Sequence, residues 1–252
     1  MNNNINYSQD YVSKEDKAYT LTKVFGYMFC GLMITAAIML GLSGLYRYLL
    51  SVDYTQGFNA EAIAIQALLA TLIVSAIGLI VLSFIVPIMV RKGTHSVLVP
   101  AILYTVLMGV CLSTLTIFIP WYLLGITFLI TSLIFGLMAL IALLSKERLH
   151  WLGIIGLGLV LGGGLISLFL WILMLVLPSG TITSIFWIVS LAVFAGMMCI
   201  TTWDISRIKS IALEGEMTNN ISLYCAYILY NDFIYIFMRV LRIVLIIYSK
   251  SK

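Results

Sequence analysis

Two acids and two arginines stand where an apolar chain should not hold them. "LYNDFIYIFMRVLRIVL" (Leu229–Leu245) reads as a membrane-crossing stretch, yet it contains Asp232, Arg239 and Arg242. A charge at the centre of a membrane helix costs roughly 2.5–3.5 kcal/mol on insertion scales, so such residues mark bundle interiors, ion paths or proton relays. "CITTWDISRIKSIAL" holds a further acid, Asp204, at the end of the preceding apolar stretch. On a helix, Asp232, Tyr235, Ile236 and Arg239 share one face. Asp232 and Arg239 are separated by about 10.5 Å along a straight axis, too far for a direct ion pair. Asp232 must therefore find a partner on another helix, in water, or in a proton it keeps. Arg242 lies nearer the helix end and can reach the interface.

The two stretches are consecutive and antiparallel, so Asp204 and Asp232 both fall toward the same half of the membrane. Their depths match only if the sixth helix runs on past Trp203 or the seventh starts late. Two carboxyls brought together in low dielectric do not both ionise easily and titrate as one unit. Such a pair is a pH sensor in chemical terms. Its oxygens are also the preferred ligands of calcium. An arginine could neutralise it and lock the helices together instead.

The elements that must position these residues follow from composition. The chain has 252 residues, 62% hydrophobic and 10% charged, with a net charge of +4; its mean hydropathy is +1.12. Soluble domains are nearer 45–50% apolar and about 25% charged. The expectation is an all-α integral membrane protein. Crossing a bilayer takes about 20 apolar residues. Seven stretches qualify: Val24–Leu50, Ala62–Val90, Val97–Phe118, Tyr122–Leu144, Leu152–Leu177, Thr183–Trp203 and Ile221–Tyr248. Only "IPW" separates the third from the fourth, which leaves a re-entrant pair as an alternative. One seven-helix domain over residues 1–252 is expected, with residues 1–23 a polar cytoplasmic tail and no cleavable signal peptide.

Basic residues give the orientation. Nine lie on the side of the N-terminus (Lys14, Lys17, Lys23, Arg91, Lys92, Lys146, Arg148, Arg207, Lys209) and three on the other (Arg47, Lys250, Lys252). The N-terminus is expected in the cytoplasm and the C-terminus outside. His95 and His150 fall in cytoplasmic loops without a partner at metal-ligand spacing, and the four cysteines are scattered singly. In "GIIGLGLVLGGGLIS", Gly158 and Gly162 form a GxxxG pair of the kind that lets membrane helices approach closely. Pro87 and Pro100 read as helix-end or kink positions.

"LYNDFIYIFMRVLRIVL" resembles the final transmembrane segment of the Bax-inhibitor motif family, in which Tyr, one residue, Asp-Phe-Ile and a later Leu-Arg-Ile recur. "WDISRIKSI" is similar to that family's aromatic-Asp segment on the sixth helix. "LTKVFGYMFCGLMITA" and "AILYTVLMGVCLS" are similar to its first and third helices. The resemblance covers nearly the whole chain. It implies six helices around a central seventh, and a pH-sensitive calcium leak of the bacterial type. Its sensor would be two aspartates, which here match Asp204 and Asp232; the same two residues would contact calcium. An arginine on the second helix would latch them. Arg91 is the arginine near that helix, although the local pattern around Pro87 departs from the family's. Arg239 stands where an aromatic is common and Ile205 where threonine is common, so Arg239 is the alternative latch or pathway charge.

These readings leave three function classes. The first is a cation leak, with calcium or protons as the permeant species and no cofactor. The second is a non-conducting regulator that binds other membrane proteins in cell-death or protease control. The third, an intramembrane aspartyl protease, lacks its Gly-x-Gly-Asp signature, since "ILYN" precedes Asp232; no enzymatic activity is expected. Nor is a nucleic-acid partner. The lipid bilayer, in a bacterial inner membrane, is the expected setting.

Overall fold

The structure, a computed structural model, describes residues 14–51, 60–92, 96–117, 119–145, 149–173, 179–214 and 218–250. Most of the N-terminal tail, His95, Lys146, Arg148 and Lys252 lie outside the described residues. Among the described residues seven helices follow in order: α1 Lys14–Ser51, α2 Ala60–Lys92, α3 Leu98–Thr116, α4 Trp121–Leu144, α5 His150–Leu173, α6 Ser179–Glu214 and α7 Asn219–Lys250. No strand occurs among the described residues. The chain is an all-α integral membrane protein. Backbone groups in lipid must be satisfied within the segment, which leaves helices as the form these long apolar stretches can take.

Among the described residues six helices, α1 to α6, are long and apolar enough to cross a membrane. Leu133, Phe84 and Leu165 are among the large apolar side chains they leave exposed. Exposure of this kind along whole helices suits a lipid solvent. α7 is different in kind. It carries Asn219, Asn220, Asn231, Asp232, Arg239 and Arg242, and it buries side chains from Ser222 through Tyr230 and Ile236 to Leu241. α2, by contrast, buries Ser75, Leu82 and Val86 among its described residues.

The helices group into two compact units. The first comprises residues 1–121 with 215–230, and the second comprises 122–214 with 231–252. α7 is continuous and contributes its first part to one unit and the remainder to the other.

In the first unit α3 packs on α1 and α2. Gly109 allows this: a Cβ there would lie 2.9 Å from the Thr35 carbonyl oxygen and 2.9 Å from Ile38. A buried polar cluster ties α7 in. Thr35 Oγ1 donates to the Thr105 carbonyl at 3.0 Å and lies 2.6 Å from the Tyr230 hydroxyl. Tyr104 meets Tyr227 and Tyr230 edge to face. At the opposite end, Arg47 caps α3: its Nε donates to Ile117 O and one Nη to Thr116 O, both at 2.9 Å. The last carbonyls of a helix lack partners inside it, and a guanidinium supplies them. α3 and α4 are separate helices of 19 and 24 residues, each long and apolar enough to cross a membrane. Pro100 sits in the first turn of α3, where its missing N–H costs nothing. Pro87 lies inside α2.

In the second unit α5 lies closely along α6. The expected Gly158–Gly162 pair does not make this contact. A Cβ on either would meet nothing within 4 Å. The close approach uses Gly153, Gly156 and Gly163: added Cβ atoms on the first two would fall 2.6 Å from Trp203 and 2.8 Å from Gly196 O, and one on Gly163 would run into Val193. The reason is angular. Gly158 is two residues from Gly156, about 200° around the helix, and so faces away. Lys209 closes the other end, donating to Leu143 O at 2.6 Å and Ser145 O at 2.9 Å. Phe233 of α7 packs against Phe128 and Phe135 of α4.

Candidate functional site

α6 extends well beyond Trp203, the expected limit of the sixth span. It ends at Glu214, ten residues after Asp204. α7 begins at Asn219, thirteen residues before Asp232. At 1.5 Å per residue these offsets place Asp204 about 15 Å from the C-terminal end of α6 and Asp232 about 20 Å from the N-terminal end of α7. "DISRIKSIAL" sustains this extra length because it is amphipathic: Ile205, Ser206, Ile208 and Ala212 are buried while Arg207 and Leu213 are exposed.

Both acids belong to the second unit. Asp232 lies close enough to Asp204 for their charges to interact, and the Thr201 hydroxyl hydrogen-bonds the Asp232 carboxyl. Thr201 is one turn before Asp204 on α6 and is buried, so the helix presents a donor and an acid to the same point on α7. The Oδ2 atom of Asp232 is buried and has no hydrogen-bond partner among the described residues. Asp204 is half-buried and interacts electrostatically with Arg207, three residues on.

Arg207 is held in turn. Its guanidinium carbon lies 5.7 Å from the Trp203 ring centroid. Trp203 is seated against α5 by Gly153 and has His150 at 6.1 Å on its other contact. A cavity of about 800 Å³ opens here, lined by His150, Trp203, Ser206, Arg207, Ser210 and Glu214 among others.

Arg239 is half-buried and donates to Ser190 Oγ of α6 at 2.9 Å. Arg242 lies over Phe186 and Trp187, 5.4 and 5.9 Å from their ring centroids. Arg91 is exposed in the last turn of α2. Tyr235, placed on the Asp232 face by helical spacing, is 51% exposed, whereas its neighbour Ile236 is fully buried. The buried stripe of α7 therefore centres on Phe233, Ile236, Phe237 and Val240, and Tyr235 lies at its margin. Among the described residues no group of three or more His, Cys, Asp or Glu is arranged to hold a metal ion.

Thr201, Arg207 and Ser190 were not legible as partners from spacing alone. The signal available for Arg207 was its position three residues after Asp204, within reach on one helix face.

A family model described as Inhibitor of apoptosis-promoting Bax1 matches residues 18–249. The chain belongs to this family. The match runs from the first turns of α1 to the last turn of α7, so all seven helices are covered by it. No curated protein and no solved structure matches the chain. Membership of the Bax-inhibitor family confirms the resemblance carried by the Asp-Phe-Ile and aromatic-Asp segments.

Proposed function

We propose that this Bax-inhibitor family protein is a pH-sensitive cation leak, with calcium the ion carried, controlled by Asp204 and Asp232. The observation that supports this reading is the juxtaposition of the two acids on α6 and α7, with one carboxyl oxygen of Asp232 buried and unpartnered among the described residues. Two ionised carboxylates at close range repel one another, and either a proton or a cation relieves that repulsion. Protons and calcium then compete for the same oxygens, which is the origin of pH sensitivity in this account. The cavity beside Trp203 and Arg207 serves as the cytoplasmic vestibule. Arg207 supplies the neutralising charge for Asp204, in the place the family gives to a second-helix arginine, for which Arg91 is the alternative.

A non-conducting regulator is the second reading, and the family's printed description as an inhibitor of an apoptosis-promoting protein favours it. Calcium efflux from liposomes containing purified protein separates the two. The leak reading expects efflux that varies with pH and is lost in Asp232→Asn. Liposomes no leakier than protein-free controls at every pH would leave the regulator.

A further inference from the structure

A second concavity lies in the first unit, whereas Asp204 and Asp232 both belong to the second. It is a groove of about 150 Å³ between α1, α3 and the start of α7, lined by Tyr27, Cys30, Gly31, Ile102 and Ala226 among others, with Thr105 and Tyr230 at its floor. Its depth depends on Gly31. A Cβ there would sit 3.2 Å from Thr105 Cγ2 and 3.3 Å from the Tyr230 ring, which already close the bottom. The polar atoms of that floor are engaged with one another: the Tyr230 hydroxyl lies 2.6 Å from Thr35 Oγ1, which donates to Thr105 O. What the groove offers an occupant is hydrocarbon.

Position decides the occupant. α1 and α3 are membrane spans, beginning at Leu21 and Leu98, and Cys30 at the groove is exposed. The mouth therefore opens to the bilayer. At the polar end stands Lys23, two residues inside the start of the α1 span. Its ammonium donates to Asn219 Oδ1 at 2.7 Å and lies 5.8 Å from the ring centroid of Tyr27. Tyr27 lines the groove. A cation fixed at the membrane boundary thus adjoins an apolar slot through a single aromatic ring. An ammonium has three donors, and those not used by Asn219 remain for a phosphate.

We propose that this groove binds one acyl chain of an anionic phospholipid, with the lipid phosphate on Lys23. The volume suits part of one chain rather than a whole lipid, so the headgroup and second chain stay in the bilayer. Basic residues at helix ends recognise anionic headgroups in this manner. The site shares none of the residues assigned above to ion conduction.

The test uses the full-length protein, released from detergent micelles into a mass spectrometer with equimolar phosphatidylglycerol and phosphatidylcholine of identical chains. Wild type is expected to retain phosphatidylglycerol about five-fold over phosphatidylcholine, the factor one interfacial lysine contributes. Lys23→Gln should retain both lipids equally. Cys30→Trp fills the groove from its exposed side without disturbing the floor, and should lose both lipids; Ala226→Leu fills it from α7. Thermal unfolding of each variant checks that it is folded. Equal retention of the two lipids by wild type, or an unchanged preference in Lys23→Gln, would overturn the proposal. So would full lipid retention by folded Cys30→Trp, or a second copy of the chain occupying this face as a dimer.

Discussion

At the scale of single residues, the setting of Asp232 is defined by one hydroxyl and one acid. Thr201 donates to its carboxyl, and Asp204 adds a like charge. A hydrogen bond to a charged group contributes about 1.5–3 kcal/mol, more than between neutral partners. Thr201→Val keeps the shape and removes the donor, so it is expected to displace the pH profile of ion flux, while Thr201→Ser retains it. An identical profile in Thr201→Val would remove the hydroxyl from the site. The cluster of Thr35, Thr105 and Tyr230 makes a separate residue-scale point. Thr35→Val leaves a Tyr230 hydroxyl, 2% exposed, without its nearest partner. Equilibrium unfolding should register a loss of about 1–3 kcal/mol, the cost of stranding a buried polar group. Asp204 and Asp232 stand out in the sequence because a carboxyl is conspicuous among Ile, Leu and Phe. Thr201 does not, because a threonine in a membrane helix is ordinary and usually bonds its own backbone, as Thr202 does to Met198 O.

At the scale of elements, the α5–α6 contact turns on which glycines face the partner. Gly156→Ala would drive a methyl to 2.8 Å from the Gly196 carbonyl, a backbone atom that cannot swing away. It should destabilise by about 1–3 kcal/mol, as overpacking does. Gly158→Ala and Gly162→Ala enter open space and should be neutral or mildly stabilising in the same thermal or denaturant measurement. Equal losses at Gly156 and Gly158 would mean that the helix presents a different face. The GxxxG spacing correctly marked a helix that packs closely, yet spacing carries no phase. Phase depends on the partner, and Trp203, Val193 and Gly196 all lie on α6. The length of α6 was hidden for a related reason. Hydropathy falls after Trp203, although Ile205, Ile208 and Ala212 continue a buried stripe at helical spacing. α7 shows the same effect within one turn: a lipid-phase label should reach a cysteine at Tyr235 and spare one at Ile236, whose exposures are 51% and 0%. Similar labelling at both would contradict the stripe.

At the scale of the whole molecule, the chain is a multi-pass membrane protein of the Bax-inhibitor family with a match across all seven helices. Class and helix number were legible because apolar runs of about 20 residues have few alternatives. The polar character of α7 was legible too, and it is what separates this helix from the six apolar ones. The nine-to-three division of basic residues expects the N-terminus inside and the C-terminus outside when reporters are fused at each. Both reporters inside would mean that α7 does not cross. In the proposed leak, Asp204 and Asp232 act as one titrating unit that governs cation flux, and such units respond non-additively. Calcium efflux from proteoliposomes, followed over a pH series for wild type, Asp204→Asn, Asp232→Asn and the double variant, tests it most directly. Each single variant is expected to show a flattened or displaced pH profile, Asp232→Asn to lose flux, and the double variant to behave as Asp232→Asn does. Unchanged flux and an unchanged pH profile in both single variants would contradict the proposed leak.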